Sequence, residues 1–158
     1  MLLAILAAKL GVSVKGRMVL SAYAVKPFPE ANLMTSSSNE ASVCVLDDDH
    51  SMLRAVERLL KSEGFGVTKF SEPSAFLERV EQAPCAVAIL DMWMPDMTGL
   101  EVQTAMKKAS GDTRVIFISG RDDPSIRQAA LEAGAFAFLP KPFDDEELLQ
   151  LVHQASAA

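Results

Sequence analysis

Four stretches of this 158-residue chain each run an apolar segment into a polar, chemically usable side chain. "VCVL" (43–46) leads into Asp47, Asp48 and Asp49, "AVAIL" (86–90) into Asp91, "VIFI" (115–118) into Ser119, and "AFAFLP" (135–140) into Lys141. Carboxylates gathered in one place repel one another, so either some are protonated or a cation neutralises them. With oxygen ligands alone and no grouping of His or Cys, a hard divalent ion such as Mg²⁺ is preferred over softer metals. Mg²⁺ takes one or two carboxylates, keeps waters and shares a substrate phosphate, which points to phosphoryl chemistry. A carboxylate is already ionised at neutral pH, so Asp91 could attack phosphorus without a general base. Such a reaction needs chiefly positioning and charge stabilisation, which Lys141 and the Ser119 hydroxyl are placed to supply.

These side chains converge only if the intervening chain folds to bring the segment ends together. Five short apolar or β-prone runs, the four above and "VTKF" (67–70), alternate with helical patterns from Ser42 onward. Met52, Leu53, Val56, Leu59 and Leu60 form one apolar stripe before Gly64 stops the first helix. Ser71 with Pro73 opens the second, Thr98 with Gly99 precedes the third, and Asp123 with Pro124 caps the fourth, which Gly134 closes. Asp144 with Glu147 starts the fifth in the manner of a capping box, with Leu148, Leu149, Leu151 and Val152 facing inward. The order predicts an α/β, doubly wound (βα)5 parallel sheet of strand order 2-1-3-4-5, the flavodoxin-like arrangement. In such sheets ligands sit outside the carboxyl ends of the strands, where the four polar residues fall.

Composition narrows the classes. At 158 residues, with 49% hydrophobic and 23% charged residues, the chain has material for one folded domain. A net charge of -6 argues against a surface for the phosphate backbone of nucleic acid. Cys44 and Cys85 lie in or beside apolar runs and do not form a secreted disulfide pattern, so a reducing, cytoplasmic location is expected. Lys9, Lys15 and Arg17 interrupt the apolar N-terminal stretch, so no membrane span is expected. Residues 1–40 read as a poorly ordered N-terminal extension ahead of a domain over 41–158.

Each site feature has a plainer reading. Three aspartates after a strand serve as a solvated turn and helix start, a Lys before Pro is usually a loop residue, and a strand-end Ser is often a cap. Four such features at four strand ends of one fold make coincidence the poorer account.

The motifs "VLDDDHS", "ILDMWMPDMTG", "FISG" and "FLPKPF", in that order, resemble a response regulator receiver domain of two-component signalling, and the likeness covers roughly 41–155. The stretch "EGFGVTKFSEPSAFL" further resembles receivers that precede LuxR-type helix-turn-helix domains. The resemblance implies Asp91 as phosphoacceptor, Asp47 and Asp48 as the acidic pair for Mg²⁺, and Asp49 as a helix-start residue. It implies that Trp93 gives its backbone carbonyl to the metal and that the apolar Met92, Trp93, Met94 and Pro95 wall the pocket, with Asp96 a turn residue. It makes Ser119 the switch hydroxyl, Phe138 the aromatic that turns inward, and Lys141 the phosphoryl-contacting lysine, followed by a cis peptide to Pro142.

Function follows as an expectation: a sensor histidine kinase or phosphotransfer protein phosphorylates Asp91, and the surface of helix 4, strand 5 and helix 5 then docks a downstream partner or a second copy. The chain is expected to act as a stand-alone, non-enzymatic receiver, with a fragment of a longer regulator as the other possibility, and no direct nucleic-acid contact is expected. His50 and His153 lack the helix-bundle context of a phosphodonor, so the donor is a separate protein. A haloacid-dehalogenase-like phosphatase using Asp47 and Asp49 is the alternative, but it leaves Asp91 and "LPKPF" without roles. A flavodoxin-like cofactor carrier would face phosphate repulsion from three aspartates.

Overall fold

The computed structural model describes residues 41–109 and 111–158. The extension expected over 1–40 lies outside the described residues. Strand and helix alternate as β1 (Ser42–Leu46), α1 (His50–Ser62), β2 (Gly66–Phe70), α2 (Pro73–Gln82), β3 (Val87–Asp91), α3 (Gly99–Ala109), β4 (Arg114–Ser119), α4 (Pro124–Glu132), β5 (Ala137–Pro140) and α5 (Asp145–Ala157). The five strands are parallel in the order β2-β1-β3-β4-β5, as the sequence pattern predicts.

Strand residues alternate between two cores because successive side chains point to opposite faces. Val43, Val45, Val87, Ile89, Ile116 and Ile118 pack against Leu53, Val56 and Leu60 of α1 and Leu148 and Val152 of α5. Leu46, Ala88, Leu90, Val115 and Phe117 pack on the other face against Phe76 and Val80 of α2, Val102 and Met106 of α3, and Ala130 of α4. A fully buried Val, Leu or Ile contributes about 1.5–3 kcal/mol, so these two layers dominate what fixes the strand order. β2, at the sheet's edge, is the exception with its half-exposed pattern, which explains why "VTKF" is the least apolar of the five runs.

The helix starts follow local chemistry, with two corrections. Asp49 caps α1, its Oδ1 accepting from the Ser51 and Met52 N–H groups at 2.7 and 3.4 Å. Asp123 caps α4 by accepting from Ser125 N–H at 2.8 Å, with Pro124 in the first turn. Gly64 and Gly134 end α1 and α4 at φ +84° and +85°, a region that side chains disfavour. For α2 the cap position is Glu72, not Ser71, and it makes no side-chain cap bond; Pro73 alone sets the first turn. Asp144 does begin α5, but without a side-chain cap bond, so the three acidic residues of the first turn are what favour that terminus. The reciprocal cap lies instead at α3. There Thr98 N–H donates to Glu101 Oε2 at 2.8 Å while Thr98 Oγ1 accepts from Glu101 N–H at 3.3 Å.

Candidate functional site at the carboxyl edge of the sheet

Parallel register brings the ends of β1, β3, β4 and β5 to one edge, because Leu46 lies beside Leu90, Asp91 beside Ile118 and Ser119 beside Pro140. Asp47 continues the sheet by one hydrogen bond, its N–H donating to the Phe70 carbonyl at 3.1 Å. Its side chain is thereby buried at 2% exposure, with Oδ1 accepting from Asp49 N–H at 2.8 Å. Asp91, the last residue of β3, is buried at 5%, whereas Asp48 is exposed. Lys141 is anchored from behind by its N–H, which donates to the Ser119 carbonyl at 2.7 Å, and the Lys141–Pro142 peptide is cis. From there Nζ donates to Asp47 Oδ2 at 2.9 Å and to Asp91 Oδ1 at 3.0 Å.

One ammonium thus bridges two buried carboxylates, and it does not settle the charge. Burial, then the neighbouring charges of Asp47 and Asp48, push the Asp91 carboxyl above its ordinary range despite the bond from Lys141. Burial disfavours the charged form of Lys141 as well, but its bonds to Asp47 and Asp91 prevail and hold its pKa above the ordinary value. Asp91 therefore presents an oxygen more basic than that of a free aspartate. One oxygen each from Asp47, Asp48 and Asp91 lies within 4.8 Å of the others. Mg²⁺ bonds oxygen at about 2.0–2.1 Å, so opposite ligands stand about 4.2 Å apart, and closure by a few tenths of an ångström or one intervening water suits this set. The donors are all oxygen and the residual charge is negative, so the residues fit the ion.

The surroundings sort the remaining residues. Ser119 is fully buried, and its hydroxyl donates to the Arg121 carbonyl at 2.8 Å and accepts the Arg121 N–H at 3.1 Å, so it faces its own loop rather than Asp91. Trp93 is 38% exposed, with the Arg121 guanidinium carbon 5.0 Å from its ring centre. Met92 and Met94 pack into the core with residues of α2 and α3, and of that run only Trp93 and Pro95 are exposed. Phe138 is already inward, packed in the same core under the Arg127 guanidinium at 5.2 Å. Its exposure therefore has little left to lose on a further inward turn.

Gly99 matters to the site although the chemical reading of the sequence gave it no more than a helix start. A Cβ there would stand 2.5 Å from the Asp91 carbonyl oxygen and 2.9 Å from Phe117 Cε1, so any side chain would displace the strand end that carries Asp91. Recesses of about 830 Å³ along α1 and about 590 Å³ near Arg114 do not include Asp47, Asp48 or Asp91. The acidic crevice is a place for an ion and a small group at the surface.

Fold and crevice together place the chain among the CheY-like α/β domains. A family model for the response regulator receiver domain matches residues 43–153, and the chain belongs to that family. Response regulator protein TodT of Pseudomonas putida is 39% identical over 126 residues, which cover 80% of this chain and 56% of TodT. The chain thus spans about half the length of the curated relatives it matches. A receiver domain protein from Clostridium thermocellum superposes with a TM-score of 0.70 at 28% identity, covering 74% of this chain and 94% of that one. The solution structure of the beryllofluoride-activated NtrC4 receiver domain dimer gives 0.71 at 29%, covering 74% and 97%. Among the described residues no helix is long and apolar enough to cross a membrane.

Proposed function

We propose that residues 41–158 form a phosphoacceptor receiver whose reacting group is Asp91. The observation that carries this reading is the bridging of two buried carboxylates, Asp47 and Asp91, by Lys141 at 2.9 and 3.0 Å beside an exposed third, Asp48. An Asp91 oxygen bonds to phosphorus as the phosphorus–nitrogen bond of a phosphohistidine on a separate kinase or phosphotransfer protein breaks. The electron pair returns to the imidazole, and no proton has to leave the nucleophile. Asp47, Asp48, Asp91 and the Trp93 carbonyl would hold Mg²⁺, which would supply neutralisation of phosphoryl charge. Lys141 moves its contacts from the carboxylates to a phosphoryl oxygen, and Ser119 donates its hydroxyl to another. The chain acts as a signalling element, not as an enzyme with a turnover substrate of its own, and works in the cytoplasm.

The readout surface is α4, β5 and α5, on which Leu131 is 47% exposed and offers an apolar anchor to a downstream protein or a second copy. Such a switch is a packed two-state element biased by an added charge. The phosphatase alternative draws no support from the fold, since Asp49 is committed to capping α1 and Asp91 would have no part.

Incubation with Mg²⁺ and acetyl phosphate, followed by mass spectrometry, tests the reading. One phosphoryl group is expected on the wild type, base-labile and absent from Asp91→Asn. The same adduct on Asp91→Asn overturns it.

A further inference from the structure

Ser119 donates to a phosphoryl group only if its hydroxyl leaves its present partners, and both of those belong to the backbone of Arg121. The two bonds, at 2.8 and 3.1 Å, close a tight ring over residues 119–121 and spend the hydroxyl's single proton on the Arg121 carbonyl. At the other end of the same residue, the guanidinium lies 5.0 Å from the ring centre of Trp93, two positions beyond Asp91 in sequence. One residue therefore joins the hydroxyl to the loop that leaves the acceptor strand.

We propose that Arg121 is a positioning residue of the switch: its backbone parks the Ser119 hydroxyl, its side chain fastens the parked arrangement to Trp93, and loading of Asp91 opens both together. The proposal rests on the phosphoacceptor reading of Asp91. Its physical basis is that the Ser119 proton serves one acceptor at a time. Moving it to a phosphoryl oxygen breaks the bond to the Arg121 carbonyl, frees the backbone that carries the guanidinium, and lets the stack on Trp93 part. The stack thus holds the unloaded state, and weakening it favours the loaded one. An exposed cation–π contact is a small lever, so the effect on the affinity for a phosphoryl mimic is about two- to fivefold.

Trp93 is the chain's single tryptophan, so its emission reports on the stack alone. Wild type, Arg121→Ala and Arg121→Lys are titrated with beryllofluoride at saturating Mg²⁺. Bound fluoride is followed by ¹⁹F NMR, and acrylamide quenching of Trp93 is read at each point. In the wild type, quenching is expected to rise in step with bound fluoride. Arg121→Ala is expected to start at the high quenching level, to change little, and to bind about two- to fivefold tighter. Arg121→Lys, which keeps the charge, is expected to fall between the two. Full fluoride occupancy in the wild type with unchanged Trp93 quenching overturns the proposal, as does Arg121→Ala binding no tighter than wild type. No bound-fluoride signal in the wild type overturns it at the earlier step, by removing the phosphoacceptor reading itself.

Discussion

Replacing Lys141 by Met keeps most of the stem's packing while removing the ammonium that holds Asp47 and Asp91. Deleting one partner of a buried ion pair costs about 3–5 kcal/mol, because a charge is left uncompensated. Here the lysine side chain is 22% exposed and Asp48 is open to water, so part of that cost is relieved and about 2–3 kcal/mol is expected. For a domain of this size that is a fall of roughly 10 °C in melting temperature. Thermal melts by circular dichroism at neutral pH, with EDTA and then with Mg²⁺, read both halves of the reasoning. In EDTA the variant should melt well below the wild type. Mg²⁺ at a hundred times the wild type's dissociation constant adds about 2.7 kcal/mol to the wild type. Among the described residues no other cation pairs with Asp47 or Asp91, so the carboxylates of the variant gain more and the gap should narrow. A variant that melts within about 2 °C of wild type in EDTA would refute the claim that these bonds hold the crevice together. A gap that widens with Mg²⁺ would show Lys141 helping to retain the ion rather than sharing its carboxylates.

Two further outcomes follow from features away from the crevice. Glu101→Ala should lower the melting temperature by a few degrees at neutral pH, because the carboxylate accepts the Thr98 backbone N–H and hydroxyl, bonds that hold its pKa below the ordinary 4.5. A lowered carboxyl pKa gives stability that is present above pH 4.5 and lost as pH falls through the folded value, so melts at successively lower pH should show the deficit shrinking. Gln103→Met should raise stability by about 1 kcal/mol, seen as a higher urea midpoint at unchanged slope, since both amide atoms of this buried residue lack a hydrogen-bond partner among the described residues. A lower midpoint would mean that the amide contributes to the packing of α3.

Periodicity was enough to place the strands and helices, because each apolar run faces one of two cores and each Gly or Asp-Pro signal acts within a few residues. Asp47, Asp91, Ser119 and Lys141 were legible for a related reason: a strand end is a position in sequence as well as in space. What the sequence could not display was pairing across the fold. That one ammonium bridges Asp47 and Asp91 depends on chain separations of 94 and 50 residues. The Arg121–Trp93 stack is likewise visible only once β3 and β4 lie side by side. Met92 and Met94 are buried because alternation continues past the strand's end and turns them into the core. The cap of α3 is legible from the capping-box spacing of Thr98 and Glu101, whereas the same spacing of Asp144 and Glu147 carries no such bond at α5.

The pinch at Gly99 separates two jobs in the segment that begins at Asp91. Its N–H donates to the Met92 carbonyl at 3.0 Å, and its α-carbon rests where a methyl would strike Asp91 and Phe117, so the span between is stapled shut at its base. Changes in Pro95 or Asp96 at the outer bend are therefore absorbed before they reach Asp91. That bend is a cassette whose residues can be exchanged while the Asp91 carboxylate stays where it is.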